Sequence, residues 1–352
     1  MKIAVVTCYY QPDYVRAVTL RNAVYDNPDH ELIVIKNKHK GLLRYPEVLA
    51  KLIKVRVTQK PDAYLLTFRA YEIFPFANIL TWPKPLIYDE FLNPLEWLDE
   101  DRKEWWAKLI PKSLLRGFYK LLIKRPAVIL ADTDAHASYS QKILGVTSQK
   151  FVGLPVGTDE SVFHSVKPTK MTSTFTVFYY ATMIPLHGLN VVLEAFEQLK
   201  NEPIKLVFSG GDSETVAAVN ASVERGANIE HHLWIPYKEL KTYVANTQLT
   251  LGGPFGDTTQ ARMVVTGKTY QFLACNAPVL VGETEVKTSF KDGINCLSVP
   301  LGDPLALANK ITWAYKNPKK LEAIRVAGRK LYEDEFAPAS LSHQLGKILE
   351  RL

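Results

Sequence analysis

Residues 251–282, LGGPFGDTTQARMVVTGKTYQFLACNAPVLVG, read as a strand, a polar loop, a helix and a second strand. The helix is expected over Lys268–Cys275, with stop signals in Asn276, which suits a left-handed position, and in Pro278 beyond it. Lys268 stands in the first turn, just after Gly267. A cation there opposes the helix dipole, which favours negative charge at that end. The placement makes physical sense if an anion binds between the lysine and the free backbone N–H groups.

The same strand–helix unit recurs outward in both directions. Candidate strands are KIAVVTCYY, HELIVIK, AYLLTF, PLIYDEF, AVILADT and KFVGLPV in the first half, then FTVFYYA, IKLVFSGG, HHLWIP, LTLGG and PVLVG. Most are short continuous apolar runs, as expected of strands buried on both faces of a parallel sheet. Among the helices between them, Leu189, Val192, Leu193, Phe196 and Leu199 share one face. At 352 residues the chain is too long for one ordinary core and fits two domains. The polar segment Ser165–Ser173 reads as the linker. It divides the chain into a domain over 1–165, a second over 174–335, and a final helix over 336–352 that packs back toward the first. The expected fold class is α/β: two facing Rossmann-like domains, each a doubly wound parallel sheet. Ligands of such sheets bind at the carboxyl ends of the strands.

Hydrophobic residues make up 47% and charged residues 22%, which is ordinary for a globular protein. The net charge of +7 suits an anionic partner, whether a phosphorylated substrate or an anionic lipid. It is too modest, with no known motif beside it, to indicate nucleic acid. Cys8, Cys275 and Cys296 are widely spaced and form no metal-ligand or disulfide pattern. No secretory leader or spanning run is evident, so the expected location is the cytoplasm, at the inner face of the cell membrane.

Several segments carry candidate chemistry. Arg262 and Lys268 suit phosphate capture, and Gln271 suits a sugar hydroxyl; ordinary surface cations are the alternative. Gly188 lets a backbone approach a ligand, and His187 beside it suits either a donor to phosphate or a capping residue. Gly210 and Gly211 follow a strand, as nucleotide-contacting turns do, though close packing explains them equally. Asp89 and Asn93 follow PLIY and suit acceptor orientation or helix capping. His136 falls in the first turn of a helix capped by Thr133 or Asp134, where a structural role competes with a catalytic one. Residues 102–125, RKEWWAKLIPKSLLRGFYKLLIKR, interleave eight Lys or Arg with apolar side chains. They read as a surface for peripheral membrane contact, or as helices packed on the sheet.

Taken together, these segments resemble GT-B fold glycosyltransferases that use nucleotide sugars, and in particular the short bacterial members of the family-four retaining enzymes. The resemblance runs over nearly the whole chain. It is carried by MKIAVVTCYYQP with Arg16 and Leu20, KPLIYDEF, ADTDAH, VGLPVGTDESVF, FYYATMIPLHG, GKTYQFLACNAPVLVG and DGINCLSVPLGDPLALA. It implies a C-terminal domain for the nucleotide-diphosphate sugar and an N-terminal domain for a glycan or lipid-linked acceptor, in cell-surface polysaccharide or glycolipid synthesis. Arg262 and Lys268 would hold the diphosphate, and Gln271 takes the place of the second motif glutamate, at the ribose. The strand and turn Leu233–Tyr237, with Ile235 and Pro236, would meet the nucleobase largely through backbone groups, and Thr182 and Val264 complete the donor side. Arg16, Asn93 and His136 fall on the acceptor side, with Asp89 as a candidate catalytic group. No metal and no cofactor is implied. Met263 replaces the first motif glutamate, YYQPDYVRA replaces a glycine-rich loop, and PLHG replaces a usual basic residue. Two rival readings are a non-catalytic nucleotide-sugar-binding or scaffold protein, and a nucleotide-sugar epimerase on the same fold.

Overall fold

A computed structural model of the chain describes residues 1–91, 93–95, 111–169, 174–287 and 289–352. It divides into two compact units, Met1–Val156 with Pro338–Leu352, and Gly157–Ala337. Residues 157–165 therefore lie with the second unit, and the division falls upstream of the polar segment read as the linker.

In the first unit, strands and helices alternate: β1 (Lys2–Thr7), α1 (Val15–Tyr25), β2 (Glu31–Lys36), α2 (Arg44–Thr58), β3 (Ala63–Leu66), α3 (Phe74–Leu80), β4 (Leu86–Asp89), α4 (Lys112–Leu122), β5 (Val128–Ala131), α5 (Asp134–Leu144) and β6 (Phe151–Gly153). The six strands form one parallel sheet in the order β2-β1-β3-β4-β5-β6. Alternate strand residues feed two cores, as a sheet covered on both faces requires. Ala4, Val6, Tyr64, Leu66 and Tyr88 meet α2, α3, α4 and α5 through Leu52, Phe74, Tyr119 and Ala137. On the other face, Ile3, Val5, Leu65 and Ile87 meet Leu20 and Val24 of α1 and Leu341, Leu345 and Ile348 near the chain's end.

The second unit repeats the plan: β7 (Phe175–Tyr180), α6 (Leu189–Gln198), β8 (Ile204–Ser209), α7 (Ser213–Glu224), β9 (Ile229–His232), α8 (Leu240–Ala245), β10 (Leu249–Leu251), α9 (Thr259–Met263), α10 (Gly267–Ala274), β11 (Val279–Gly282), β12 (Leu297–Val299), α11 (Pro304–Lys316) and α12 (Pro318–Leu331). The final helix, α13 (Pro338–Leu349), belongs to the first unit. The second sheet is also parallel, in the order β12-β11-β10-β7-β8-β9. The expected helix face of Leu189, Val192, Leu193, Phe196 and Leu199 is buried. Asn276 takes the left-handed backbone (φ 59°) that ends α10. Two elements differ from expectation. β9 starts two residues before HHLWIP and ends at His232, leaving Leu233 and Trp234 outside it and exposed, and β12 is a strand the sequence did not announce.

Candidate functional site

In the second sheet the strand order reverses between β7 and β10. The loops that leave these two strands flank a crevice at their carboxyl ends, the usual ligand position in an open α/β sheet. After β7 comes the turn Pro185–His187, and after β10 the chain runs through α9 into α10.

The start of α10 is open. Thr266 is the N-cap residue, but its side chain makes no cap; its hydroxyl donates instead to the carbonyl of Gly252. A Cβ placed on Gly267 would meet nothing within 4 Å. The Thr269 N–H turns back to the Thr266 carbonyl at 3.0 Å, and the space beside Gly267 lies at the positive end of the helix dipole. Lys268, one residue on, is only 6% exposed. Its Nζ lies 5.6 Å from the ring centre of Tyr179 and 5.7 Å from that of Tyr180. Among the described residues no carboxylate pairs with it. Burial pushes its ammonium down to about 7. A buried cation without a counter-charge is costly, and an anion at the open helix start removes that cost.

His187 stands nearby. Burial, with the charge of Lys268 added, lowers its imidazole to about 3, so the ring is neutral. Its Nδ1 is 3.1 Å from the carbonyl oxygen of Thr182 and 3.4 Å from the backbone nitrogen of the same residue, so a donor and an acceptor of Thr182 both face it. Thr182 itself is exposed at the end of β7.

Gln271 is buried. Its Oε1 accepts from the Tyr180 hydroxyl, and its Nε2 donates to the Tyr237 hydroxyl at 3.3 Å. Arg262 lies on the exposed side of α9 and pairs with Asp257, and both side chains are about half exposed. Met263, at the missing glutamate's position, is buried. Val264 lines a cavity of about 220 Å³ with Pro254, Glu283, Lys287 and Ser298. That is smaller than the 300 Å³ or so at which ligand pockets usually begin, so it holds at most part of a nucleotide sugar.

The glycines have packing reasons. Gly188 is left-handed (φ 65°), and a Cβ there would lie 2.3 Å from the Gly256 nitrogen. A Cβ on Gly210 would strike the Ala181 carbonyl oxygen at 2.2 Å, and one on Gly211 the Leu233 carbonyl oxygen at 2.3 Å. These contacts bring the chain close to itself, the packing role that the sequence also allowed for Gly210 and Gly211. Ile235 is a core side chain and Pro236 is exposed.

The residues read as acceptor-facing are internal to the first unit. Arg16 is 0% exposed, Asp89 2%, Asn93 1% and His136 1%. The Arg16 guanidinium donates to Asp89 at 2.8 Å and to the carbonyls of Leu154 and Pro155 at 2.7 and 2.9 Å. Asp89 also accepts from the Phe68 N–H at 3.1 Å. Asn93 accepts from the Leu95 N–H at 2.9 Å, and His136 Nδ1 lies 2.7 Å from Asp132. These groups tie β4, β5, β6 and α1 together and show no polar surface to an acceptor. Of the basic stretch 102–125, residues 102–110 lie outside the described residues, and the rest centres on α4. Cys8, Cys275 and Cys296 are buried free thiols.

Three participants carried no signal in the sequence: Tyr179 and Tyr180, which cover Lys268, and Asp257, which holds Arg262; Tyr237, in the turn expected at the nucleobase, holds Gln271. The Tyr179–Tyr180 pair was visible only as part of an apolar strand, FTVFYYA.

Residues 192–347 match a family model described as glycosyl transferase-like. No curated protein matches the sequence. HepE from Anabaena, crystallised with UDP-glucose, has a TM-score of 0.72 at 14% identity, over 100% of both chains. Sucrose-phosphate synthase from Thermosynechococcus elongatus has a TM-score of 0.73 at 13% identity, over 100% of this chain and 98% of the other. A glycosyltransferase from Rickettsia africae has a TM-score of 0.71 at 14% identity, over 99% of this chain and 98% of the other. The likeness is one of fold: the two-domain α/β architecture is GT-B.

Proposed function

We propose that this chain is a glycosyltransferase that takes a sugar from a nucleotide-diphosphate donor and passes it to a hydroxyl of a glycan or lipid-linked acceptor. The observation that carries the reading is Lys268, buried and without a counter-charge at the open start of α10. A diphosphate leaving group supplies the missing negative charge. The glycosyl transferase-like match over residues 192–347, and the crystallisation of HepE with UDP-glucose, agree with such a donor.

The reaction breaks the bond between the sugar's anomeric carbon and the diphosphate oxygen, whose electron pair stays with the diphosphate. The acceptor hydroxyl oxygen forms the new bond, and its proton passes to a phosphate oxygen. With attack on the face the diphosphate leaves, configuration is retained. Lys268 and the α10 N–H groups stabilise the departing charge, which is where most catalytic gain of this kind arises. Arg262 adds a second cation once it turns from Asp257. With these protein charges in place, the reaction we propose needs no metal ion. We place Gln271 beside a ribose hydroxyl and the neutral His187 ring beside the transferred sugar or its phosphate. The products we favour are cell-surface polysaccharide or glycolipid.

Lys268→Ala and Arg262→Ala test the reading through diphosphate released from nucleotide sugars. Loss of a buried anion contact costs around 2 kcal/mol, roughly thirtyfold in turnover. Unchanged turnover in both variants would sink the assignment. Met263 and the Arg262–Asp257 pair favour a second reading, a nucleotide-sugar-binding protein without turnover. Saturable binding of UDP-glucose with no release of UDP, with and without acceptor extracts, would favour it.

A further inference from the structure

The helices on one face of the first sheet carry an apolar outer surface. α2, α3 and α4 bury one side against the strands through Leu52, Phe74 and Tyr119. Their outer sides show large apolar residues to solvent. Ile53 and Val57 on α2 are 48% and 66% exposed. Phe76 and Ile79 on α3, with Trp82 just beyond it, are 57%, 73% and 65% exposed. On α4, Leu114, Phe118 and Leu121 are 65%, 50% and 61% exposed and recur at helical spacing. Single exposed apolar residues are ordinary, but a run of them across three neighbouring helices is a mark of an interaction surface.

The three helices are tied side to side. The Arg56 guanidinium of α2 donates to the Trp82 carbonyl at 2.7 Å. Asn78 of α3 donates to the Leu122 carbonyl at 3.2 Å, and Arg125 to the Lys84 carbonyl at 2.7 Å. The patch is therefore one continuous layer.

Its charge is one-sided. Residues 44–58, 74–84 and 112–125 together contain ten Lys or Arg and a single acid, Glu47. The whole chain, by contrast, has 43 basic and 36 acidic residues. Glu47 is already paired, with Lys51 at 2.5 Å. Lys54, Lys84, Arg116 and Lys124 are exposed. Apolar and aromatic side chains ringed by cations match the two layers of a bilayer surface, acyl chains below and anionic headgroups above. No described helix is long and apolar enough to cross a membrane. We propose that the outer face of α2, α3 and α4 lies on an anionic lipid bilayer. The sequence placed such contact within 102–125; the structure carries it onto α2 and α3 as well.

The test is sedimentation of the full chain with vesicles, one set of phosphatidylcholine alone and one with about a third phosphatidylglycerol. The chain should bind the anionic vesicles at least tenfold more tightly, and high salt should weaken binding by screening the headgroups. Phe118→Glu and Ile79→Glu, and separately the pair Lys84→Glu with Lys124→Glu, should each lower partitioning about tenfold or more. These side chains are exposed, so unchanged thermal melting is expected and checks the fold. Leu305→Glu, on an exposed residue of the second unit, should bind vesicles as the unaltered chain does.

The inference does not depend on the nucleotide reading: Lys268→Ala should still bind vesicles, and the patch variants should still bind UDP-glucose. Equal binding to both vesicle types, no binding to either, or unaltered binding by the patch variants overturns the proposal. So does a concentration-dependent dimer, lost in Phe118→Glu, with no vesicle binding; that result assigns the face to a second copy of the chain.

Discussion

Affinity for a nucleotide-diphosphate sugar should fall as the pH rises above neutrality, and Lys268 sets the size of the fall. Burial lowers its ammonium from 10.5 to about 7 in the free protein. It is therefore mostly charged below that pH and mostly neutral above it. A diphosphate beside it favours the charged form, so the bound pKa lies above the free one. Between the two values each pH unit costs the complex about 1.4 kcal/mol, a tenfold change in Kd. The charged fraction of the free lysine drops roughly 25-fold between about pH 6.5 and about pH 8.5, and affinity should drop with it. His187 stays neutral throughout, since its imidazole is held near about 3. UDP-glucose is a suitable probe, because its phosphates do not titrate in this range. Calorimetry in two buffers of different ionisation enthalpy should detect uptake of close to one proton at about pH 8. Lys268→Met should bind weakly with a flat profile. Constant affinity and no proton uptake in the unaltered chain, with Lys268→Met still weakened, would refute the reasoning.

Three further outcomes are expected. Asp257→Asn frees Arg262 from an exposed pair worth no more than about 1 kcal/mol, so UDP-glucose should bind up to about fivefold more tightly; calorimetry that shows weaker binding would count against Arg262 as a phosphate ligand. Gly188→Ala forces a Cβ to within 2.3 Å of the Gly256 nitrogen at a left-handed position. It should cost about 2 kcal/mol or more in urea denaturation, and full stability would show that the two loops part easily. Arg16→Met strands the Asp89 carboxylate in the first core and should cost about 3–5 kcal/mol, read from the denaturation midpoint; a neutral result would mean that Asp89 is held protonated.

Sequence made the fold legible because both sheets are parallel and covered on both faces. Such strands are continuous apolar runs, and KIAVVT or AVILA can be little else. β12 escaped because it has three residues, with Ser298 at its centre. Lys268 stood out as a candidate for a local reason: a lysine in a helix's first turn contradicts the dipole within one turn of chain. The acceptor side was not. Arg16 and Asp89 are polar residues near strand ends, where ligand-facing groups also lie, and their partnership joins positions 73 residues apart. No local pattern distinguishes a carboxylate facing solvent from one that faces a distant guanidinium. The pairing of Arg262 with Asp257 was hidden for the same reason, because it depends on how the loop folds back.

The return of α13 to the first unit bears on how the chain is made. Leu341, Leu345 and Ile348 pack on Ile3, Leu20 and Val24, and the Ser342 hydroxyl donates to the Ala23 carbonyl at 2.9 Å. The first-made half therefore leaves the ribosome with one face of its sheet partly bare. The second half, by contrast, has all its strands before α13 is synthesised. During translation the order of completion is reversed: the second half can close first, while the earlier half waits, greasy and open to chaperones, for the last helix. A nonsense codon just before Pro338 would spare every residue of the candidate site around Lys268 and still leave half the molecule unfinished.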